Sequence, residues 1–176
     1  MSKELPSREQ ALKLLTDAGC SAKVVSHCLA VTELALQIAS KLKANGYQID
    51  LRTVEAGAIL HDIGRSKTHG VEHSVVGAQI AHKVGLPPSV ANIIKRHVGA
   101  GITGQEAASL GWPKDIYVPQ TLEEKVVCYA DKRIEHDKVV PIETEIQKLE
   151  SGGFTEAAER VRNLHNVITQ MLGEPN

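Results

Sequence analysis

Apolar positions recur at intervals of three and four along nearly the whole chain, and alternating runs rich in β-branched residues are scarce, so the pattern predicts helices rather than strands. Ser7 followed by Gln10 predicts a capping box that opens a first helix over about 7–18, closed by Gly19. A longer helix is predicted over 22–44, carrying the stripe Val24, His27, Val31, Leu34, Ile38 and Leu42. Lys41 and Lys43 stand near its C-terminus, where cations oppose the negative end of the helix dipole, and Asn45-Gly46 then breaks it. Asp50 can cap a third helix over 51–62, which Ile63-Gly64 stops, so that His61-Asp62 falls at a helix end. A polar loop over 64–70 leads to helices over 71–84, with Gly77 permitting close contact, and from Pro87-Pro88 to Val98. A short helix near 104–110 sits in a mostly irregular connection that reaches Pro119, of a length often used for substrate loops. Thr121 with Glu124 predicts another capping box and a helix to about 138 with Ile134 inward. Two amphipathic helices, over 142–150 and 154–172, finish the chain around Gly152-Gly153. The fold expected is all-α, a single-domain bundle of about seven to nine helices over 1–176, with no internal repeat or linker.

Composition agrees with that expectation. Of 176 residues, 42% are hydrophobic and 23% charged, enough apolar material for one core. Lys+Arg 20 against Asp+Glu 21 leaves a formal net charge of -1, which argues against dedicated nucleic-acid or anionic-membrane binding. No run of 18 apolar residues occurs and no apolar stretch follows the charges at the start, so neither a membrane span nor a secretory leader is expected, and a cytoplasmic location is. Cys20, Cys28 and Cys128 lack a Cys-x-x-Cys spacing, which removes a disulfide framework and a thiolate zinc knuckle.

The unusual count is His 8. His27, His61, His73 and His97 fall on core-facing helix positions or at the end of such a helix, where a single histidine is ordinarily a neutral imidazole bonded to a backbone carbonyl. Acids join them: His27, His61, Asp62 and an inward Asp131 make a mixed N/O set suited to a first-row divalent metal with octahedral geometry. Because adjacent helical residues point about 100° apart, His61 and Asp62 can share one ion only where the helix is ending.

His27, then Ala58-Ile59-Leu60-His61-Asp62-Ile63-Gly64-Arg65, then Val126-Val127-Cys128-Tyr129-Ala130-Asp131 resembles the signature of the HD-domain metal-dependent phosphohydrolases, over a core of about 22–138 with the helices of 139–176 packed on it. The resemblance implies a bundle of the HD-domain type in which His27, His61, Asp62 and Asp131 bind one ion. His73 and His97 are similar to the extra ligands of the binuclear branch, in which the counterpart of Asp62 bridges two ions and a metal-activated hydroxide attacks phosphorus. Two divalent ions are therefore expected, of Mn, Fe, Co, Ni or Zn, with core histidines beneath a one-metal site as the other reading. Arg96-His97 stands where the cyclic-dinucleotide group has two adjacent histidines, and that group's Gly-Tyr-Pro is absent, which disfavours such a substrate.

The implied activity is hydrolysis of a phosphomonoester or phosphodiester of a nucleotide or related small molecule. The alternative is a nucleotide-sensing or regulatory metal-binding module without significant turnover. Arg65 is the candidate to contact substrate phosphate, beside Asp62 as the central acid, although the Arg65–His69 segment also reads as a solvated turn and His69 takes no assigned role. Arg96, Lys132 and Arg133 flank ligands and are weaker candidates; Trp112 either stacks on a base or plugs a small apolar cluster. His82, His136 and His165 are expected to be exposed and outside the site.

Overall fold

Ser7 caps the first helix as its spacing requires: the Gln10 N–H donates to the Ser7 hydroxyl and the Ser7 N–H donates to the Gln10 side chain. The structure, a computed structural model, describes residues 4–174; residues 1–3 and 175–176, the ends of the expected domain, lie outside the described residues. Within them run α1 (Arg8–Asp17), α2 (Ala22–Ala44), α3 (Leu51–Leu60), α4 (His73–Lys83), α5 (Pro88–Arg96), α6 (Gly104–Ser109), α7 (Leu122–Lys132), α8 (Ile142–Ser151) and α9 (Thr155–Leu172). Short 3-10 turns occupy Ile63–Ser66 and Val98–Ala100, and a two-residue hairpin pairs β1 (Ile134–Glu135) with β2 (Lys138–Val139). The all-α expectation holds, as does the element order.

α2 is the middle of the bundle, in contact with α3, α7 and α9. It is long and apolar enough, by length and composition, to cross a bilayer. Its Val31, Ala35, Ile38 and Leu42 instead pack with Val126, Tyr129, Val161 and Ile168 of α7 and α9. Each fully buried side chain of this size is worth about 1.5–3 kcal/mol, and α8 and α9 supply Ile142, Ile146, Ala158 and Ile168 to the same cluster. A second cluster joins α1 to α3, α4 and α5 through Leu15, Ile59, Ala81 and Ile94.

Three local expectations need correction. The helix beginning after Thr121 ends at Lys132 rather than near 138: His136 adopts a left-handed φ of 60°, and the Val140 N–H donates to the Arg133 carbonyl across the hairpin. The Thr121 cap is present but its box is not, because the Glu124 carboxylate accepts from Arg96 at 2.9 Å and from the Gln120 N–H at 2.6 Å. A second complete box, besides that at Ser7, lies at Thr103 and Glu106 and opens α6. Finally, His165 is half-buried and pairs its Nδ1 with the Tyr129 hydroxyl at 2.8 Å, so it is not an exposed residue.

Two glycines decide how closely α4 approaches the turn after α3. A Cβ on Gly64 would lie 1.8 Å from the His73 carbonyl oxygen, and one on Gly77 would lie 2.7 Å from the Ile94 side chain and 3.2 Å from the Gly64 nitrogen. Only hydrogen at both positions lets α4 carry His73 up to Asp62.

Candidate metal centre

α3 stops at Leu60 because the backbone unwinds at Asp62, whose φ of -99° and ψ of 15° leave the helical region. His61 and Asp62 can therefore face one point. His27 arrives from α2, Asp131 from the last turn of α7, His73 from the first turn of α4, and His97 from the end of α5. All six side chains expected as ligands are brought together.

They form two sets that share Asp62. On its Oδ2 side lie His27 Nε2 at 3.9 Å and His61 Nε2 at 3.7 Å, and Asp131 Oδ1 stands 3.0 Å from His27 Nε2 and 3.4 Å from His61 Nε2. On its Oδ1 side lie His73 Nε2 at 3.0 Å and His97 Nε2 at 3.4 Å. Each imidazole also has its Nδ1 on a backbone carbonyl: His27 on His136 at 2.8 Å, and His61, His73 and His97 on Ala58, Gly70 and Ile94, each at 2.7 Å. A carbonyl only accepts, so Nδ1 carries the proton in every case and the four Nε2 lone pairs turn inward.

That arrangement tests whether a cation fits. His73 Nε2 and His97 Nε2 stand 3.0 Å apart, and His61 Nε2 and Asp62 Oδ1 are buried with no hydrogen-bond partner. Converging acceptors without donors are costly in a buried site, and a divalent ion with imidazole and carboxylate preference satisfies them together. Opposite charges within the cluster also hold one another. Burial opposes ionisation of Asp62, but His61 first and then the neighbouring His73 and His97 outweigh it and hold the carboxyl well below its ordinary range. Asp131 is likewise lowered against burial, by Lys132 first and then His27 and His61. Burial is also the largest influence on His61, yet Asp62 raises this imidazole well above its ordinary value, whereas burial pushes His97 down to about 4.

Around this cluster, the flanking cations separate. The Arg65 Nε donates to Asp62 Oδ2 at 2.8 Å and its Nη1 to the His69 carbonyl at 3.2 Å, while its side chain borders a cavity of about 790 Å3 that opens from the cluster. Lys132 borders the same cavity and donates to Asp131 Oδ2 at 2.6 Å. Burial works against its charge, but Asp131 prevails and raises its pKa above the ordinary value. Arg96 turns away: it is clamped to Glu124 and to the Ile116 carbonyl, and serves to tie α5 to α7. Trp112 packs on Tyr117 with ring centroids 5.1 Å apart, the plug of the two readings.

Sequence reasoning missed two contributors. The His136 side chain is exposed as expected, yet its carbonyl orients His27, and only the left-handed turn at 136 brings it there. The far wall of the cavity comes from α6, α8 and α9, with Phe154, Leu149, Glu106 and Arg160. Phe 1 in the composition, directly after a Gly-Gly turn, was the available signal.

Comparison with known proteins gives this geometry a family. The HD domain model matches residues 24–134. An uncharacterized protein of Methanocaldococcus jannaschii is 46% identical over 166 residues, covering 93% of this chain and 98% of that one. A tRNA (cytidine(56)-2'-O)-methyltransferase of Thermoplasma volcanium is 39% identical over 172 residues, covering 98% of this chain and 49% of the relative, so the chain spans about half the length of that enzyme. In fold, the chain is similar to the HD domain of the L. monocytogenes phosphodiesterase PgpH in complex with cyclic-di-AMP, with a TM-score of 0.57 at 17% identity over 93% of this chain and 95% of that one. Residues 24–134 carry every side chain of the cluster, and the chain belongs to the HD-domain family.

Proposed function

We propose that the protein hydrolyses a phosphomonoester or phosphodiester of a nucleotide or related small molecule with the help of two divalent ions. One observation carries the proposal: four imidazoles fixed in one tautomer and two carboxylates present only acceptors to a common buried centre, with Asp62 offering one oxygen to each set. His27, His61 and Asp131 would hold one ion, His73 and His97 the other, and Asp62 both. Ions so held supply Lewis-acid neutralisation of phosphate charge and a water acidic enough to ionise near neutral pH.

The chain's own residues do the rest. Arg65, which borders the cavity and reaches Asp62 through Nε, presents a guanidinium fork suited to two phosphate oxygens. Lys132, kept charged by Asp131, adds a cation on the cavity side of the cluster. His97 donates from Nδ1 to the Ile94 carbonyl, which turns its Nε2 lone pair toward the centre. Glu106, Glu145 and Glu156 also border the cavity, which disfavours an extended polyanion and supports a small substrate.

A second reading, a nucleotide-sensing or regulatory module without turnover, is favoured by the methyltransferase relative, in which a matching segment accompanies about as much chain again. A panel of nucleoside monophosphates, cyclic phosphates, dinucleoside polyphosphates and RNA ends on metal-reconstituted protein decides between them. The proposal expects phosphate-ester cleavage of at least one substrate, lost on chelation and in Asp62→Asn. Metal-loaded protein that binds nucleotides yet cleaves none would overturn it in favour of sensing.

A further inference from the structure

The cavity beside the metal centre has two unlike ends. The near end is the cluster itself with Arg65 and Lys132. The far end is formed largely outside residues 24–134, by the turn between α8 and α9 and by both helices, and is completed by α6 from within that span. Among the described residues, three of the eight exposed large hydrophobic side chains, Val71, Leu110 and Phe154, border this one cavity. Phe154, the chain's one phenylalanine, is 64% exposed and belongs to neither apolar core cluster. An aromatic ring left facing a cavity is a surface awaiting a flat partner.

The polar groups at that end narrow the partner's chemistry. Arg160 donates through Nη2 to both oxygens of Glu106, at 2.9 and 3.0 Å, and the Thr103 N–H donates to Glu106 Oε2 at 2.7 Å. The buried Nε of Arg160 has no partner. Guanidinium and carboxylate cancel in charge, so the pair does not attract a second phosphate, and Glu145 and Glu156 on the same wall repel one. An acyl chain would leave the pair without use. A planar heterocycle with donors and acceptors on its edge uses both the ring and the pair.

We infer that this far wall is a nucleobase seat, in which Phe154 stacks on the base and the Glu106–Arg160 pair meets its edge while the phosphate lies at the metal centre. The inference rests on the reading of that centre as the phosphate end, and assigns specificity to Phe154 and Arg160 of the C-terminal helices together with Glu106 of α6, which lies within the family core. The volume of about 790 Å3 accommodates a nucleoside with its phosphate, within the range of small-molecule sites. Phe154 contributes little to the fold, since it is largely exposed, so it can be changed without loss of the metal site.

Saturation-transfer NMR on metal-loaded protein with adenosine, guanosine, cytidine and uridine tests the seat without any phosphate to cleave. Base protons of at least one nucleoside should receive saturation, the effect should largely vanish in Phe154→Ala, and Phe154→Trp should retain it. In parallel, Phe154→Ala should lower kcat/KM for the matching nucleoside monophosphate by about tenfold or more through KM, with ribose 5-phosphate unaffected. Saturation absent from every base, or equal in wild type and Phe154→Ala, would overturn the inference. Phe154-dependent base saturation without any phosphate release would leave the seat standing and remove the hydrolase reading instead, so the two failures are distinct.

Discussion

Asp62 carries the arrangement at the scale of single residues, because each of its oxygens faces a different pair of imidazoles. The carbonyls of Ala58, Gly70, Ile94 and His136 do as much as the ligands themselves, since each fixes one imidazole's tautomer and aim. Arg65 has a separable part. Its guanidinium cannot lose a proton to become a ligand, so Arg65→Ala should keep full metal content while kcat/KM on a cleaved phosphate ester falls by about 10²-fold. Elemental analysis beside steady-state kinetics reads both, and unchanged kinetics would reduce the residue to part of a turn. The thiols, by contrast, are structural. Burial pushes Cys128 up to about 12 and Cys20 up to about 11, so the thiolate is scarce at neutral pH in the folded protein. Alkylation by iodoacetamide at pH 7.5, followed by mass spectrometry, should label neither at an appreciable rate until the protein is unfolded; fast native labelling would contradict the scarcity of the thiolate.

Among the elements, the contact of α4 with the turn after α3 is the joint on which the second ligand set depends. Gly64→Ala would drive a methyl into the His73 carbonyl, a backbone atom that cannot swing aside. Overpacking of this kind costs about 3 kcal/mol or more, which for a chain of this length lowers the melting temperature by roughly 6–12 °C. Scanning calorimetry should show that fall, and metal titration should show the His73–His97 set weakened more than the His27–His61–Asp131 set. A fully stable Gly64→Ala would mean that α4 sits farther from the turn. Much of this level was legible in the sequence, because caps such as Ser7 and Asp50 and the stripe of α2 are local signals. Glu124 shows where local signals lose: its spacing from Thr121 suits a capping box, but the Arg96 guanidinium, 28 residues away in sequence, takes its buried carboxylate. The hairpin at 134–139 was hidden for a similar reason, since Ile134 continues the apolar period of α7 while the chain has already turned.

For the molecule as a whole, six ligands drawn from five separate helices and their ends converge because the bundle packs around α2 and α7, and the HD turn with its partners could be read from residue type and order. The cavity could not. Its far wall depends on where the amphipathic helices α8 and α9 dock, and an apolar stripe states that a helix is buried without stating against what. Bound metal should stabilise the whole fold by mass action, so chelation should lower the melting temperature of wild type and leave that of Asp62→Asn nearly unchanged. The stoichiometry of bound metal is the most direct measurement of the central claim. After reconstitution with excess divalent metal and removal of the unbound fraction, elemental analysis should find two ions per wild-type chain, about one in His73→Ala, and little in Asp62→Asn; a wild type that saturates at one ion or holds none, or Asp62→Asn that holds as much as wild type, would contradict it.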